Sequence, residues 1–280
     1  MDLFIEIIKF LIFSFLIVIV SKYILVKLLR NLAMVLNLKS KTVGAISGVA
    51  TSTPELLSVC FAAISGLISA SWYNILSSNI INFIQYAFAI YLNKNQKYLN
   101  NTALKLDVII VLVTIFIPSS IVFFSVSIDL NIVPIFLLLL ILTYIINKNS
   151  HQLYLSTSSY EEVQFEKDKK WFKGNKKKAI KYSFYLSLTV ILLFVIGNML
   201  SNTLEGLCFR FSIPEFLVGI ALGFITSVPE LITFFEAQKH HSKHTNPHEG
   251  VIEATNNLLA SNIINLFIIQ SLALILFETL

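Results

Sequence analysis

Eight stretches of this chain, each long and nearly free of charge, alternate with polar loops. A helix needs about 20 apolar residues to cross ~30 Å of hydrocarbon, where every backbone N–H and C=O must be satisfied within the protein. A membrane barrel would instead show short segments of alternating character. The stretches fall at roughly 4–30, 40–68, 71–93, 105–126, 130–147, 181–204, 213–238 and 250–277. Composition agrees, with 56% hydrophobic and 13% charged residues, where soluble domains carry about 25% charged residues. The expected fold class is all-α, a polytopic protein of about eight transmembrane helices in a lipid bilayer. The first stretch begins with acidic Asp2 and Glu6 and lacks a small-residue cleavage site, so it is expected to stay as a helix rather than act as a signal peptide.

Residues 148–180 form the one long polar stretch, and they divide a first membrane half at 1–147 from a second at 181–280. Its Ser, Lys and Glu content reads as a cytoplasmic connector, mainly a solvated loop, although Lys176 to Lys178 would also suit an anionic membrane surface. Lysines and arginines follow spans 1, 3, 5 and 7 and are nearly missing after 2, 4 and 6, with Arg210 the exception. By the positive-inside rule the N-terminus is expected outside and the connector in the cytoplasm, most simply at the cell (plasma) membrane. Five spans precede the connector, so the sixth starts on the opposite side from the first. Any repeat between the halves must then be inverted.

Such a repeat exists. "VGAISGVATSTPEL" at 43–56 aligns without gaps on "VGIALGFITSVPEL" at 218–231, and "SNIIN" at 78–82 recurs at 261–265. The first pair is offset by 175 residues and the second by 183, the difference fitting in the polar stretch "AQKHHSKHTNPHEG". The repeats cover about 40–93 and 213–277. Inverted repeats with interrupted helices are a design of secondary transporters.

Each repeat places a proline beside a glutamate in an apolar segment, Pro54–Glu55 and Pro229–Glu230. Proline removes an i→i−4 hydrogen bond, which frees backbone carbonyls that are tolerated only against protein or a water-filled cavity. Thr51, Ser52 and Glu55 crowd one broken turn, and Thr226, Ser227 and Glu230 the other. Ser78 with Asn82, and Ser261 with Asn265, sit at i, i+4 on the following helices. All are oxygen donors, which suits alkali and alkaline-earth cations rather than zinc or copper. Two carboxylates neutralise one divalent cation. Bare, they are expensive near the midplane, so the site is expected to trade one cation for another or for protons. The alternative is that proline only kinks the helix and each glutamate pairs with a buried lysine.

These motifs resemble the α-repeats of the cation/Ca²⁺ exchanger superfamily, most closely its Na⁺/Ca²⁺ exchanger branch. The first family motif, G-x-x-x-x-A-x-G-T-S-x-P-E, is met here by "ATSTPE" and "ITSVPE", and the second, G-N-x-x-G-S-N-x-x-N/D, by "YNILSSNIIN" and "NNLLASNIIN". The resemblance implies a ten-helix fold of two inverted halves, shortened here, and antiport by alternating access. It implies that Glu55 and Glu230 are the central cation ligands and that Ser52, Ser227, Ser78 and Ser261 are flanking oxygens. Thr51 and Thr226 would give backbone carbonyls, and Asn82 and Asn265 fill the last motif position.

Three features depart from the family pattern. Both last positions are Asn where several exchangers have one Asp. The glycines of the second motif are replaced by Tyr73, Ser77, Asn256 and Ala260, although close helix packing usually wants small residues. Three spans follow the connector rather than five; either the chain is a short member, or a partner or second copy covers that flank.

The expected function is a secondary antiporter exchanging Ca²⁺ for Na⁺ or H⁺. The alternatives are a monovalent cation/proton exchanger and a transport-inactive scaffold. No nucleophile elbow, P-loop or zinc-protease motif occurs, so no enzyme and no resident cofactor is expected, Ca²⁺ and Na⁺ being substrates. The net charge of +5 reflects lysine-rich loops, and no nucleic-acid partner is expected. Cys60 and Cys208 read as small buried hydrophobes, Lys9 and Lys22 as side chains reaching toward the interfaces, and His240 to His248 as a plain loop.

Overall fold

The computed structural model describes residues 2–35, 40–124, 128–155, 172–244 and 247–279. Among them every extended element is helical. The first span is α1 (Asp2–Val20), a π-helical segment (Ser21–Val26) and α2 (Lys27–Val35). The second is α3 (Ser40–Thr51) and α4 (Thr53–Ile64), and α5 (Ile68–Leu92), α6 (Thr102–Phe123) and α7 (Ile132–Leu155) complete the first half. The second half has α8 (Phe172–Glu205) with a π-helical end at Gly206–Arg210, then α9 (Glu215–Thr226) and α10 (Val228–His244). Its last span joins α11 (Pro247–Ile263), a π-helical segment (Ile264–Ile269) and α12 (Gln270–Thr279).

Seven helical stretches among the described residues are long and apolar enough to cross a membrane: Leu3–Leu29, Thr42–Ile64, Ile68–Leu92, Thr102–Phe123, Lys177–Arg210, Glu215–Lys239 and Pro247–Thr279. A shorter apolar helix at Ile132–Asn147 stands where the fifth span is expected. The chain is an all-α integral membrane protein. Phe116, Phe123, Phe124 and Tyr91 are each 70% or more exposed on its outer surface, as lipid-facing side chains are.

The structure corrects two loop readings. Helix α7 runs on to Leu155 and α8 starts at Phe172, so both described ends of the connector are helical. The lysines at 176–178 belong to the first turns of α8; an unbranched Lys loses little rotamer freedom in a helix. Residues 156–171 lie outside the described set. The described part of the histidine-rich stretch is likewise helical, since α10 extends to His244 and α11 opens on Pro247; residues 245–246 lie outside the described set. Proline suits a first helical position, where its missing N–H costs nothing. The side chains of His240, His241, His244, Lys22 and Lys176 are outside the described set. Lys9 pairs with Glu6 one turn earlier at 2.9 Å. Cys60 is half-buried and Cys208 buried, and both are free.

The closest backbone approaches occur in two helix pairs. A Cβ on Gly44 of α3 would overlap the Glu253 carbonyl oxygen of α11, and one on Gly48 would meet that of Asn257 at 2.5 Å. A Cβ on Gly219 of α9 would overlap the Ala70 carbonyl oxygen of α5, and one on Gly223 would meet that of Asn74 at 2.6 Å. In each pair the contacts advance together along both chains, so α3 runs parallel to α11 and α9 parallel to α5. Helices α4 and α5 form a hairpin through Gly66, whose φ of +79° suits glycine. Helix α9 therefore runs opposite to α3.

These approaches explain how the second motif manages without glycine. The small residue is on the facing helix. Gly219 lies against the Cβ of Tyr73, Gly44 against that of Asn256, and Gly48 against that of Ala260. The Tyr73 ring leans away onto Phe216, with centroids 5.8 Å apart. Glu215, at the start of α9, adds a tie between the same helices. Its Oε2 accepts from the backbone N–H of Ser69 at 3.1 Å and of Ala70 at 3.4 Å, capping α5.

Candidate cation site

The two spans that carry a Pro–Glu pair are each broken at the serine before the proline-bearing helix. Ser52 separates α3 from α4 with φ −77° and ψ 1°, and Ser227 separates α9 from α10 with φ −78° and ψ −1°. Pro54 and Pro229 thus sit in the first turn of a new helix, where proline fits, rather than in a helix interior. Glu55 and Glu230 occupy the same first turns. The helix N-terminus there favours a carboxylate, and the carbonyl-rich C-termini of α3 and α9, ending at the same breaks, favour a cation.

All ten sequence-selected residues are buried: Thr51, Ser52, Glu55, Ser78, Asn82, Thr226, Ser227, Glu230, Ser261 and Asn265 are each 1% exposed or less. Contacts between the halves bring them together. Ser52 Oγ and Ser261 Oγ are 2.8 Å apart. Ser261 Oγ donates to Glu230 Oε1 at 3.2 Å, and Asn82 Nδ2 donates to Ser261 Oγ at 3.3 Å. The Glu55 carboxylate faces the hydroxyls of Thr226 and Ser78 and lies close enough to Glu230 to repel it. Glu230 in turn faces Thr51 and Ser261. Each glutamate therefore meets the threonine of the opposite half.

The hydroxyl hydrogens are largely committed elsewhere. Thr51 and Ser52 both donate to the Gly48 carbonyl, at 3.2 and 3.0 Å. Thr226 donates to Leu222 at 3.0 Å and Ser227 to Gly223 at 2.7 Å. Ser78 donates to Asn74 Oδ1 at 3.2 Å. A hydroxyl whose hydrogen is so placed keeps oxygen lone pairs that a cation could use.

Several of the buried acceptors without a hydrogen bond belong to these residues. They include Glu55 Oε1 and Oε2, Glu230 Oε2, Asn82 Oδ1 and Asn265 Oδ1. Both asparagines turn their amide nitrogens into the protein: Asn82 toward Ser261 and Asn262, and Asn265 onto Asn79 Oδ1 at 3.2 Å. A buried acceptor without a partner costs about 1–3 kcal/mol, more when charged. A cation is one partner such oxygens accept, and the donor set is the hard-oxygen type that suits Ca²⁺ and Na⁺.

Sequence reasoning missed four asparagines. Asn74 Nδ2 donates to Ser58 Oγ at 2.7 Å, and Ser58 donates to the Glu55 carbonyl at 3.2 Å. In the other half Asn257 Nδ2 donates to Thr233 Oγ1 at 2.7 Å, and Thr233 donates to the Glu230 carbonyl at 2.8 Å. Two equivalent relays thus hold the backbone of the two glutamates. Asn79 and Asn262 join the helices that carry the serines. The signal was available: Asn74 and Asn257, and Asn79 and Asn262, are each 183 residues apart, as are Ser78 and Ser261. An asparagine in a helix has many ordinary uses, so repetition alone did not mark a role.

The sequence model described as sodium/calcium exchanger protein matches residues 7–148 and 181–278, most of the chain and both sides of the connector. Searches of curated proteins and of solved structures give no significant match.

Proposed function

The chain belongs to the sodium/calcium exchanger protein family, and from that premise we propose that it is a secondary antiporter exchanging Ca²⁺ for Na⁺ or H⁺ at Glu55 and Glu230. The observation that carries this reading is the cluster of buried oxygens without hydrogen bonds, contributed by both halves around two helix breaks. Two carboxylates balance the charge of one Ca²⁺. Neutral oxygens from Asn82, Asn265 and the four serines, with backbone carbonyls at Thr51 and Thr226, fill out the coordination shell. Two bare carboxylates in a low-dielectric interior repel each other. Departure of one cation is therefore favourable only when another replaces it, which is obligatory exchange.

Alternating access follows from treating the halves as an inverted repeat. The opposite directions of α3 and α9, and the matched packing of α3 on α11 and α9 on α5, support that treatment. In it, 1–147 and 181–280 are the two membrane halves. The connector faces the cytoplasm, the N-terminus lies outside, and the cell membrane is the location. A partner or second copy is proposed to pack beside the second half. No enzymatic step and no resident cofactor is invoked.

The two asparagines favour one second reading. With Asn at both Asn82 and Asn265 the site holds two carboxylates, and two monovalent cations, or one cation and one proton, also balance it. Flux into proteoliposomes separates the readings. Vesicles loaded with Na⁺ and diluted into Na⁺-free buffer should take up ⁴⁵Ca²⁺, and Glu55→Gln should abolish the uptake. Uptake driven only by a pH gradient moves the protein to cation/proton exchange, and the lack of Ca²⁺ uptake under both gradients overturns Ca²⁺ as substrate.

A further inference from the structure

We infer that the groove between the first span and α8 holds an anionic phospholipid, with an acyl chain against Ile24, Leu28, Leu188 and Leu192 and its headgroup phosphate at Lys27 and Lys181. The groove has a volume of about 320 Å³ and is lined by those four residues with Tyr185 and Thr189. Thr189 is buried, and its hydroxyl is turned away onto the Tyr185 carbonyl at 2.8 Å, so the surface presented is apolar. Ile24, Tyr185, Leu188 and Leu192 are each more than 40% exposed, so nothing else in the described protein covers them. The groove lies beside the π-helical segment Ser21–Val26. The extra residue of a π turn alters the side-chain register, and such segments recur at functional sites.

Charge selects the headgroup. Lys181 places its ammonium 5.8 Å from the centroid of the Tyr185 ring, at one end of the groove. Lys27 precedes the lining residue Leu28, and Lys177 and Lys178 are exposed one turn beyond Lys181. No carboxylate offsets them along either wall: there is no Asp or Glu between Glu6 and Glu55, nor between Asp168 and Glu205. From Tyr185 to Leu192 the helix rises about 10 Å, within the ~15 Å hydrocarbon depth of one leaflet. A phospholipid seated with its phosphate among the lysines thus lays its chain along the lining residues. Basic pockets between transmembrane helices on the cytoplasmic side are a recognised way to hold acidic headgroups.

The test is native mass spectrometry of the detergent-purified full chain, titrated with phosphatidylglycerol or with phosphatidylcholine of the same acyl chains. Wild type should retain phosphatidylglycerol at about tenfold lower lipid concentration than phosphatidylcholine. The Lys27→Gln/Lys181→Gln double variant should lose that preference, and Lys27→Arg/Lys181→Arg should keep it. Leu188→Trp, which fills the groove without touching charge, should weaken retention of both lipids. Equal retention of the two lipids by wild type, or an unchanged preference in the Gln double variant, overturns the assignment. If the Gln variant does not fold, undiminished retention by Leu188→Trp overturns it independently. The readout is lipid binding, so it does not depend on which ions the protein moves.

Discussion

Asn79 and Asn262 each donate a side-chain amide to the other's backbone carbonyl, at 3.3 and 3.2 Å. Their neighbours repeat the reciprocity: Asn82 Nδ2 donates to Asn262 Oδ1 at 3.4 Å and Asn265 Nδ2 to Asn79 Oδ1 at 3.2 Å. Four side chains therefore close a ring across α5 and the last span, beside the serines of the candidate site. An interhelical hydrogen bond in a membrane is worth about 0.6–2 kcal/mol. Asn79→Ala and Asn262→Ala are each expected to lower thermal stability in detergent, and the double variant by less than the sum, because both remove the same ring. Strict additivity in a thermal-shift double-mutant cycle would show that the two amides act apart.

Glu55→Gln and Glu230→Gln keep the size of the side chain and remove its charge. Each is expected to reduce ion exchange to the level of empty liposomes while leaving yield and gel-filtration profile unchanged. Wild-type turnover in either variant would falsify the two-glutamate site.

Replacing Asn265 or Asn82 with Asp supplies a third carboxylate next to the first two. The expected outcome is more monovalent cations moved per divalent cation, read as a shift of the reversal potential in proteoliposomes clamped at set ion gradients. An unchanged stoichiometry in both variants places these positions outside the coordination shell.

Gly223 of α9 and Tyr73 of α5 belong to the same close helix pair but differ in what they tolerate. Gly223→Ala forces a Cβ to 2.6 Å from the Asn74 carbonyl, an overpacking expected to cost about 1–3 kcal/mol. Because Asn74 also anchors the Glu55 relay, exchange should fall with stability. Tyr73→Ala gives up the ring contact with Phe216, about 0.5–1.5 kcal/mol beyond its buried area, and should leave flux near wild type. Thermal shift and flux measured on both variants check the contrast; equal losses would refute it.

The membrane spans and the duplicated Pro–Glu motif were legible in the sequence because hydropathy and repetition are properties of single segments. What faces what was not. Tyr73, Ser77, Asn256 and Ala260 read as obstacles to close packing only while Gly219, Gly223, Gly44 and Gly48 were unassigned to the opposite helices. Polarity also misled at Lys176–Lys178 and His240–His244, where a charged or aromatic-polar run reads as loop although its backbone continues a membrane helix beyond the hydrocarbon. Asn82 and Asn265 were legible as motif positions, but the ring they close with Asn79 and Asn262 belongs to neither repeat alone and so could not be read from one segment.

The pairing of α3 with α11 sets the order in which this protein can be finished. When residues 40–64 leave the ribosome, the wall against which Gly44 and Gly48 will close has not been translated. At ordinary synthesis rates of ~5–20 residues per second, roughly 10–40 s pass before residues 247–263 follow. Through that interval Glu55 resides in the translocon or the bilayer without Thr226 and the rest of the second half. Insertion of the second span therefore has to be carried by its apolar residues alone, against the glutamate, and a nascent chain arrested between Glu205 and Pro247 is the natural quarry of membrane quality control.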